Sequence, residues 1–319
     1  MLFAQGIHHI TAIGSDPQRL TDFYTGILGL RLVKKSVNQD DVSAYHLFFG
    51  DKTGEPGMDL TFFTFPNVAR GSRGAGLVTT ISLAVPASSL HFWQDRFARN
   101  GVKHDALHKQ FGRERLIFYD ADDQRLELVG LGKDELPDEV AQLWITRAIG
   151  ETEAIRHFHS ARLTVTNKAL VEPVLLEVLG YQEIEVNGSI TLYQREGQAR
   201  AGYLEMEEAP SLPPGRNASG TVHHIAFATE DEHSQLELRE RLIAIGQRPT
   251  EVIDRYYFKS IYFRTPAGIL FEIATMGPGF TADEAESELG QRLALPPFLE
   301  EYREQIEAGL TPVSVKEAL

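Results

Sequence analysis

The chain has 319 residues, 42% hydrophobic and 24% charged, and a formal charge of −14 from 45 Asp+Glu against 31 Lys+Arg; it is long enough for about two globular domains and too acidic to suit a nucleic-acid backbone. Cysteine is absent, which excludes disulfides, Cys-ligated zinc or iron–sulfur centres and a Cys nucleophile, whereas 11 His leave a His/carboxylate metal centre open. Residues 1–6 lack the basic and apolar parts of a signal peptide, and no apolar run reaches the ~18–20 residues of a membrane span, so a cytoplasmic protein engaging neither membrane nor nucleic acid is expected, with homo-oligomerisation left open.

In chain order, residues 7–13 alternate as a strand. Asp16-Pro17 supplies an N-cap and a Pro at the first helical position. Leu20, Phe23, Tyr24, Ile27 and Leu28 then form a helical apolar stripe. Residues 43–50 and 58–65 are Phe-, Leu- and Thr-rich strands. A Gly/Ser/Arg-rich link, 67–76, follows. Asp120–Asp123 has no calcium-loop spacing and is expected to be a turn. The link 131–153 is expected to hold a short helix around 138–144. Pro210–Ser219 is another Pro/Gly-rich link. Leu236, Leu238, Leu242 and Ile243 mark a late helix, with strands at 257–264 and 269–275. Beyond Met276, a capping box from Thr281 to Glu284 and a second helix after Pro296-Pro297 are expected.

A repeat underlies this order. Gly6-Ile7-His8-His9-Ile10-Thr11 resembles Thr221-Val222-His223-His224-Ile225-Ala226. Thr80 and Ser160 take the place of the second His in two further copies. Gly29, Gly101, Gly180 and Gly246 close the four helices at nearly constant distance from these anchors. Glu127, Glu205 and Glu272 recur late in copies two, three and four, while copy one has no Glu in Met58–Phe62. The copies span 5–67, 76–131, 154–208 and 219–275, followed by a helical extension over 276–319.

Four strand–helix–three-strand (βαβββ) copies with His on a first strand and Glu on a last strand resemble the vicinal oxygen chelate superfamily, which includes glyoxalase I, extradiol dioxygenases and bleomycin-resistance proteins. The block Asp254–Thr275, the two His-His pairs and Pro278-Gly279-Phe280 are most similar to hydroquinone-type ring-cleaving dioxygenases. The fold class expected is α+β: four βαβββ modules forming two paired, curled mixed β-sheets with outer helices, plus the C-terminal tail.

His9 and His224 occupy equivalent places on two equivalent strands, and Glu272 lies on the last strand of the fourth module. Only copies one and four keep the His, which implies that modules one and four pair across the sequence and two and three pair elsewhere; the three residues then meet in one cleft as a two-His, one-carboxylate set, the facial triad of non-haem Fe(II) oxygenases. A lone Glu272 between Phe271 and Ile273 is costly to bury unless paired or ligated. The expected cofactor is Fe(II), with Zn, Mn or Ni able to occupy the same donors in a purified sample. Asp59 is a candidate extra ligand, but a solvated turn position after Gly57 is the expected reading. Strand alternation would put His8 and His223 on the opposite face from His9 and His224. The resemblance implies catalytic roles for Tyr262, Arg255, His223, Thr11 and His8, in orienting substrate or O₂ and handling protons. The function expected is ring cleavage of a hydroquinone or catechol with O₂. The alternatives are a glyoxalase-like metal-dependent isomerase or lyase, and a protein that sequesters a toxic aromatic or a drug without turnover.

Overall fold

The computed structural model describes residues 3–136, 142–198 and 200–315. The helix expected around 138–144 falls largely outside the described residues.

Strands follow the repeat. The first module contributes β1 (Ile7–Gly14), β2 (Arg31–Asn38), β3 (Asp41–Gly50) and β4 (Asp59–Thr64). The second contributes β5 (Leu77–Pro86), β6 (His108–Gln110), β7 (Arg113–Tyr119) and β8 (Arg125–Leu131). The third contributes β9 (Phe158–Val165), β10 (Tyr181–Asn187), β11 (Ile190–Arg195) and β12 (Tyr203–Glu208). The fourth contributes β13 (Thr221–Thr229), β14 (Ile253–Asp254), β15 (Lys259–Arg264) and β16 (Leu270–Thr275). They form two eight-stranded mixed sheets, ordered β14-β15-β16-β13-β1-β4-β3-β2 and β10-β11-β12-β9-β5-β8-β7-β6. The outer modules therefore share one sheet and the inner modules the other. In each sheet two first strands pair antiparallel at the centre, β1 with β13 and β5 with β9. That pairing makes the two halves of a sheet equivalent about a pseudo-twofold axis.

Helices α1 (Pro17–Thr21), α2 (Leu90–Arg99) and α3 (Glu232–Ala244) cover the sheets, and α4 (Arg303–Gly309) lies in the tail. Asp16 caps α1, accepting from the Gln18 and Arg19 amides. The expected stripe continues past α1 in a wider π-turn, Asp22–Ile27. The third module's helix is likewise reduced to a 3₁₀ turn and a π-turn, Val174–Val178. All four closing glycines have positive φ, from 67° to 83°, the left-handed stop that glycine adopts without a Cβ clash. One continuous apolar core joins both sheets to α1, α2 and α3. On α3 the buried stripe is Gln235, Leu238 and Leu242, whereas Leu236 and Ile243 are exposed. Gln235 replaces the expected apolar contact by donating to the Lys259 and Ile273 carbonyls. No helix among the described residues is long and apolar enough to cross a membrane.

The tail also departs from expectation. Residues 280–282 make a single 3₁₀ turn, and Glu284 caps nothing. Its buried carboxylate instead meets Lys34 of β2, which also bonds Asp283 at 2.7 Å. The ion pair wins because a fully buried ammonium needs an anion more than a short turn needs a cap. Lys34→Met is expected to cost about 3 kcal/mol by leaving Glu284 buried beside only Arg292. Urea unfolding would measure this, and limited proteolysis should show earlier cleavage within 276–295.

Candidate metal centre

The site forms where β1, β13 and β16 adjoin. The register sets Ala226 beside Glu272, two residues on from His224. Two residues on from His9, Thr11 stands beside Thr61 in the same relation, so Thr61 holds the place of Glu272 in the first half. His9 Nε2 lies 3.2 Å from Glu272 Oε2, His224 Nε2 lies 2.9 Å from the same oxygen, and the two nitrogens are 3.2 Å apart. All three residues are buried. Ser260 donates to Glu272 Oε1. Glu272 Oε2, by contrast, accepts no well-aligned hydrogen bond. Burial alone would raise this carboxyl, but the His9 and His224 imidazoles hold it well below the usual carboxylate range. Three donor atoms thus converge on one point, with an orphaned anionic oxygen among them, and this donor set fits a divalent metal.

His8 and His223 are not on the opposite face. The register between β1 and β13 slips by one residue at His8 and by one at His223. Each is the extra residue of a β-bulge, which suspends strand alternation and swings its ring beside the histidine that follows. His8 Nδ1 lies 3.0 Å from His9 Nδ1, and His223 Nδ1 lies 2.8 Å from His224 Nδ1. Burial pushes His8 down to about 3, so its ring is neutral. Its Nε2–H donates to the Thr275 carbonyl at 3.1 Å. Its Nδ1 then accepts from His9 Nδ1–H, and that bond turns His9 Nε2 toward the convergence point.

Tyr262 stands directly opposite Glu272 in the β15–β16 register. Its ring meets His224 edge-on at 5.8 Å. Burial and Glu272 push its hydroxyl up, and Arg255 Nε donates to it at 3.3 Å. Arg255 also grips Asp40 through both nitrogens, at 3.2 and 3.0 Å, while Gln39 donates to its carbonyl. The β2–β3 turn of the first module is thereby clasped to the fourth across the pocket mouth. Thr11 is a layer down, fully buried and bonded to Thr61 at 2.7 Å.

Asp59 is no solvated turn residue. It starts β4 in register with His9 and is fully buried, and among the described residues neither carboxyl oxygen has a donor. Burial, aided by Asp51 and Glu272, pushes this carboxyl well above the usual carboxylate range. Asp120–Asp123 is the expected turn, its first carboxylate taking the Tyr24 hydroxyl and the Asp122 and Gln124 amides.

Sequence reasoning missed His46, which lines the pocket from β3 and bonds Thr61 at 2.9 Å. Its signal was present in the repeat. Phe48 pairs with Thr61 as Tyr262 pairs with Glu272, which sets His46 at the place of Ser260. The second sheet shows what the same positions become without His. Arg115, at that same place, bridges Glu127 at 2.9 Å and Glu205 at 2.6 Å. Arg162 holds Glu205 from its other side. A guanidinium there supplies the positive charge.

The chain matches the family described as the Glyoxalase/Bleomycin resistance protein/Dioxygenase superfamily over residues 6–128 and 176–273. It is 39% identical to the "Putative ring-cleaving dioxygenase MhqA" of Bacillus subtilis, covering 97% of this chain and 98% of that one. It is 30% identical to a chlorohydroquinone/hydroquinone 1,2-dioxygenase of Sphingobium indicum, covering 95% and 94%. A crystal structure described as a "putative dioxygenase" from Bacillus subtilis superposes with a TM-score of 0.93 at 36% identity, covering 99% of this chain and all of that one. The four-module, two-sheet fold, the converging donors and these matches agree, and the chain belongs to the Glyoxalase/Bleomycin resistance protein/Dioxygenase superfamily.

Proposed function

We propose that the chain is a ring-cleaving dioxygenase that opens a hydroquinone- or catechol-type ring with O₂, using Fe(II) held by His9, His224 and Glu272. The observation that carries this reading is the convergence of two imidazole Nε2 atoms and an orphaned carboxylate oxygen at the base of an aromatic-lined pocket. The names of the relatives point to the same reaction class. When bound, such a metal supplies Lewis acidity toward a ring oxygen and a path for electrons to O₂.

The chain's own residues do the remainder. Phe48, Phe63 and Phe258 line the pocket with apolar surface that excludes water. His8 and His223 fix the rings of the two ligands. The Tyr262 hydroxyl, kept protonated, is a donor toward oxygen charge that develops beside Glu272. Arg255 stays cationic and balances the carboxylate that ring opening produces. A glyoxalase-like reaction would want a second carboxylate as base, and the first module offers Thr61 in that position.

The deciding experiment is anaerobic loading with Fe(II), then oxygen uptake with substituted hydroquinones and catechols and mass spectrometry of the product made under ¹⁸O₂. Both atoms of O₂ should appear in the opened product. A fully metallated sample that consumes no oxygen with any diphenol would sink the proposal.

A further inference from the structure

The β2–β3 wall of the pocket carries two polar groups for which the triad has no use. Ser36 and His46 are directly opposite each other in the β2–β3 register and both line the pocket. His46 is wedged between aromatic rings, with centroids 3.9 Å from Phe48 and 4.4 Å from Phe63. Its Nε2 is fixed by Thr61, which in turn bonds Thr11. Within the described chain, that bond leaves His46 Nδ1 without a partner, and the Ser36 hydroxyl has none either.

Their placement gives the pair a direction. β3 is two strands from β1 in the sheet order, about 10 Å at the usual strand spacing. An aromatic ring held at one end by the triad would extend across β4 toward that wall. The hydroxyl chain also lets Nδ1 serve either way. If His46 Nε2 donates to Thr61, Nδ1 is an acceptor; if Thr61 donates to Nε2, Nδ1 carries the proton. A phenolic hydroxyl and its deprotonated form can both be met.

We propose that His46 and Ser36 form a subsite for the ring oxygen remote from the metal triad, which selects para-diols over phenols and ortho-diols. A catechol presents both oxygens at one edge and leaves this pair unused, whereas a hydroquinone reaches it. The inference deepens the ring-cleavage reading and rests on it for the orientation of the ring.

Anaerobic calorimetry on the metal-loaded protein tests it, with hydroquinone, phenol and catechol as probes. The wild type should bind hydroquinone about tenfold tighter than phenol, the worth of one good neutral hydrogen bond. His46→Phe, which keeps the aromatic stack, should abolish that preference and leave phenol and catechol within about twofold. His46→Asn should restore part of it. Ser36→Ala should reduce it by less, and this small change does not endanger folding. Equal losses for all three probes in His46→Phe would mean a packing role and overturn the proposal. So would a wild type that does not prefer hydroquinone to phenol. A wild type with that preference that consumes no oxygen would defeat the ring-cleavage reading and uphold the subsite.

Discussion

Glu272→Gln is expected to fold normally and to lose divalent-metal affinity by more than about 100-fold, with oxygen uptake falling to background. The amide keeps the shape of the carboxylate, so packing between Phe271 and Ile273, both fully buried, is unchanged. What disappears is the anionic oxygen facing two imidazole nitrogens at 2.9 and 3.2 Å. Groups that hydrogen-bond to a metal ligand typically contribute 10–100-fold in affinity, and a direct donor more. Elemental analysis after Fe(II) loading and dialysis gives the metal content. Thermal scans give an independent readout, because a ligand that binds the folded state raises its melting temperature. Fe(II) should raise it in the wild type and leave it unmoved in the variant. Equal metal content in the two proteins would remove Glu272 from the centre.

Arg115→Met should destabilise the second sheet by about 3–5 kcal/mol, the usual cost of stranding a buried charge. Arg115 is fully buried and is shared by two fully buried carboxylates. Burial would raise Glu127, yet His108, Arg115 and Arg162 hold it at about 2. Its carboxylate therefore stabilises the fold fully above its ordinary value of 4.5 and progressively less as pH falls toward 2. In the variant the unpaired acids gain protons readily, so the gap between wild type and variant should narrow as pH falls from 7 to 4. Urea midpoints across that range would show it. The triple variant Arg115→Met, Glu127→Gln, Glu205→Gln should recover most of the loss. A single variant as stable as the wild type at neutral pH would mean that Arg162 and water suffice.

The repeat, the fold class and the converging triad were legible because each depends on local signals repeated in register. A His at a first-strand position, a Gly at a helix stop and a Glu on a last strand can be compared copy against copy. The partnering of outer with outer modules followed from which copies retained His. The places that resisted reading were those where a neighbour outside the copy decides. Strand alternation gave the wrong face for His8 and His223, because a bulge depends on the partner strand. Asp59 looked like a turn residue after Gly57 and is buried by the parallel strand beside it. Glu284 carried a capping signature, and Lys34, 250 residues away in sequence, claimed it. His46 had no motif of its own, and only the match of the first module to the fourth shows that it holds the place of Ser260.

The tail gives the pocket a remote determinant of shape. Phe280 packs on Phe48 at 4.9 Å and on Tyr257 at 5.2 Å, and both of those rings line the pocket. The segment is clamped to β2 by Lys34, and its described residues contribute none of the three converging donors. Substitution at Phe280 should therefore reshape the aromatic wall while leaving the three converging donors in place. One wall of the pocket is thereby buttressed by a segment outside the four modules, so its shape depends on the Lys34 anchor as well as on the strands.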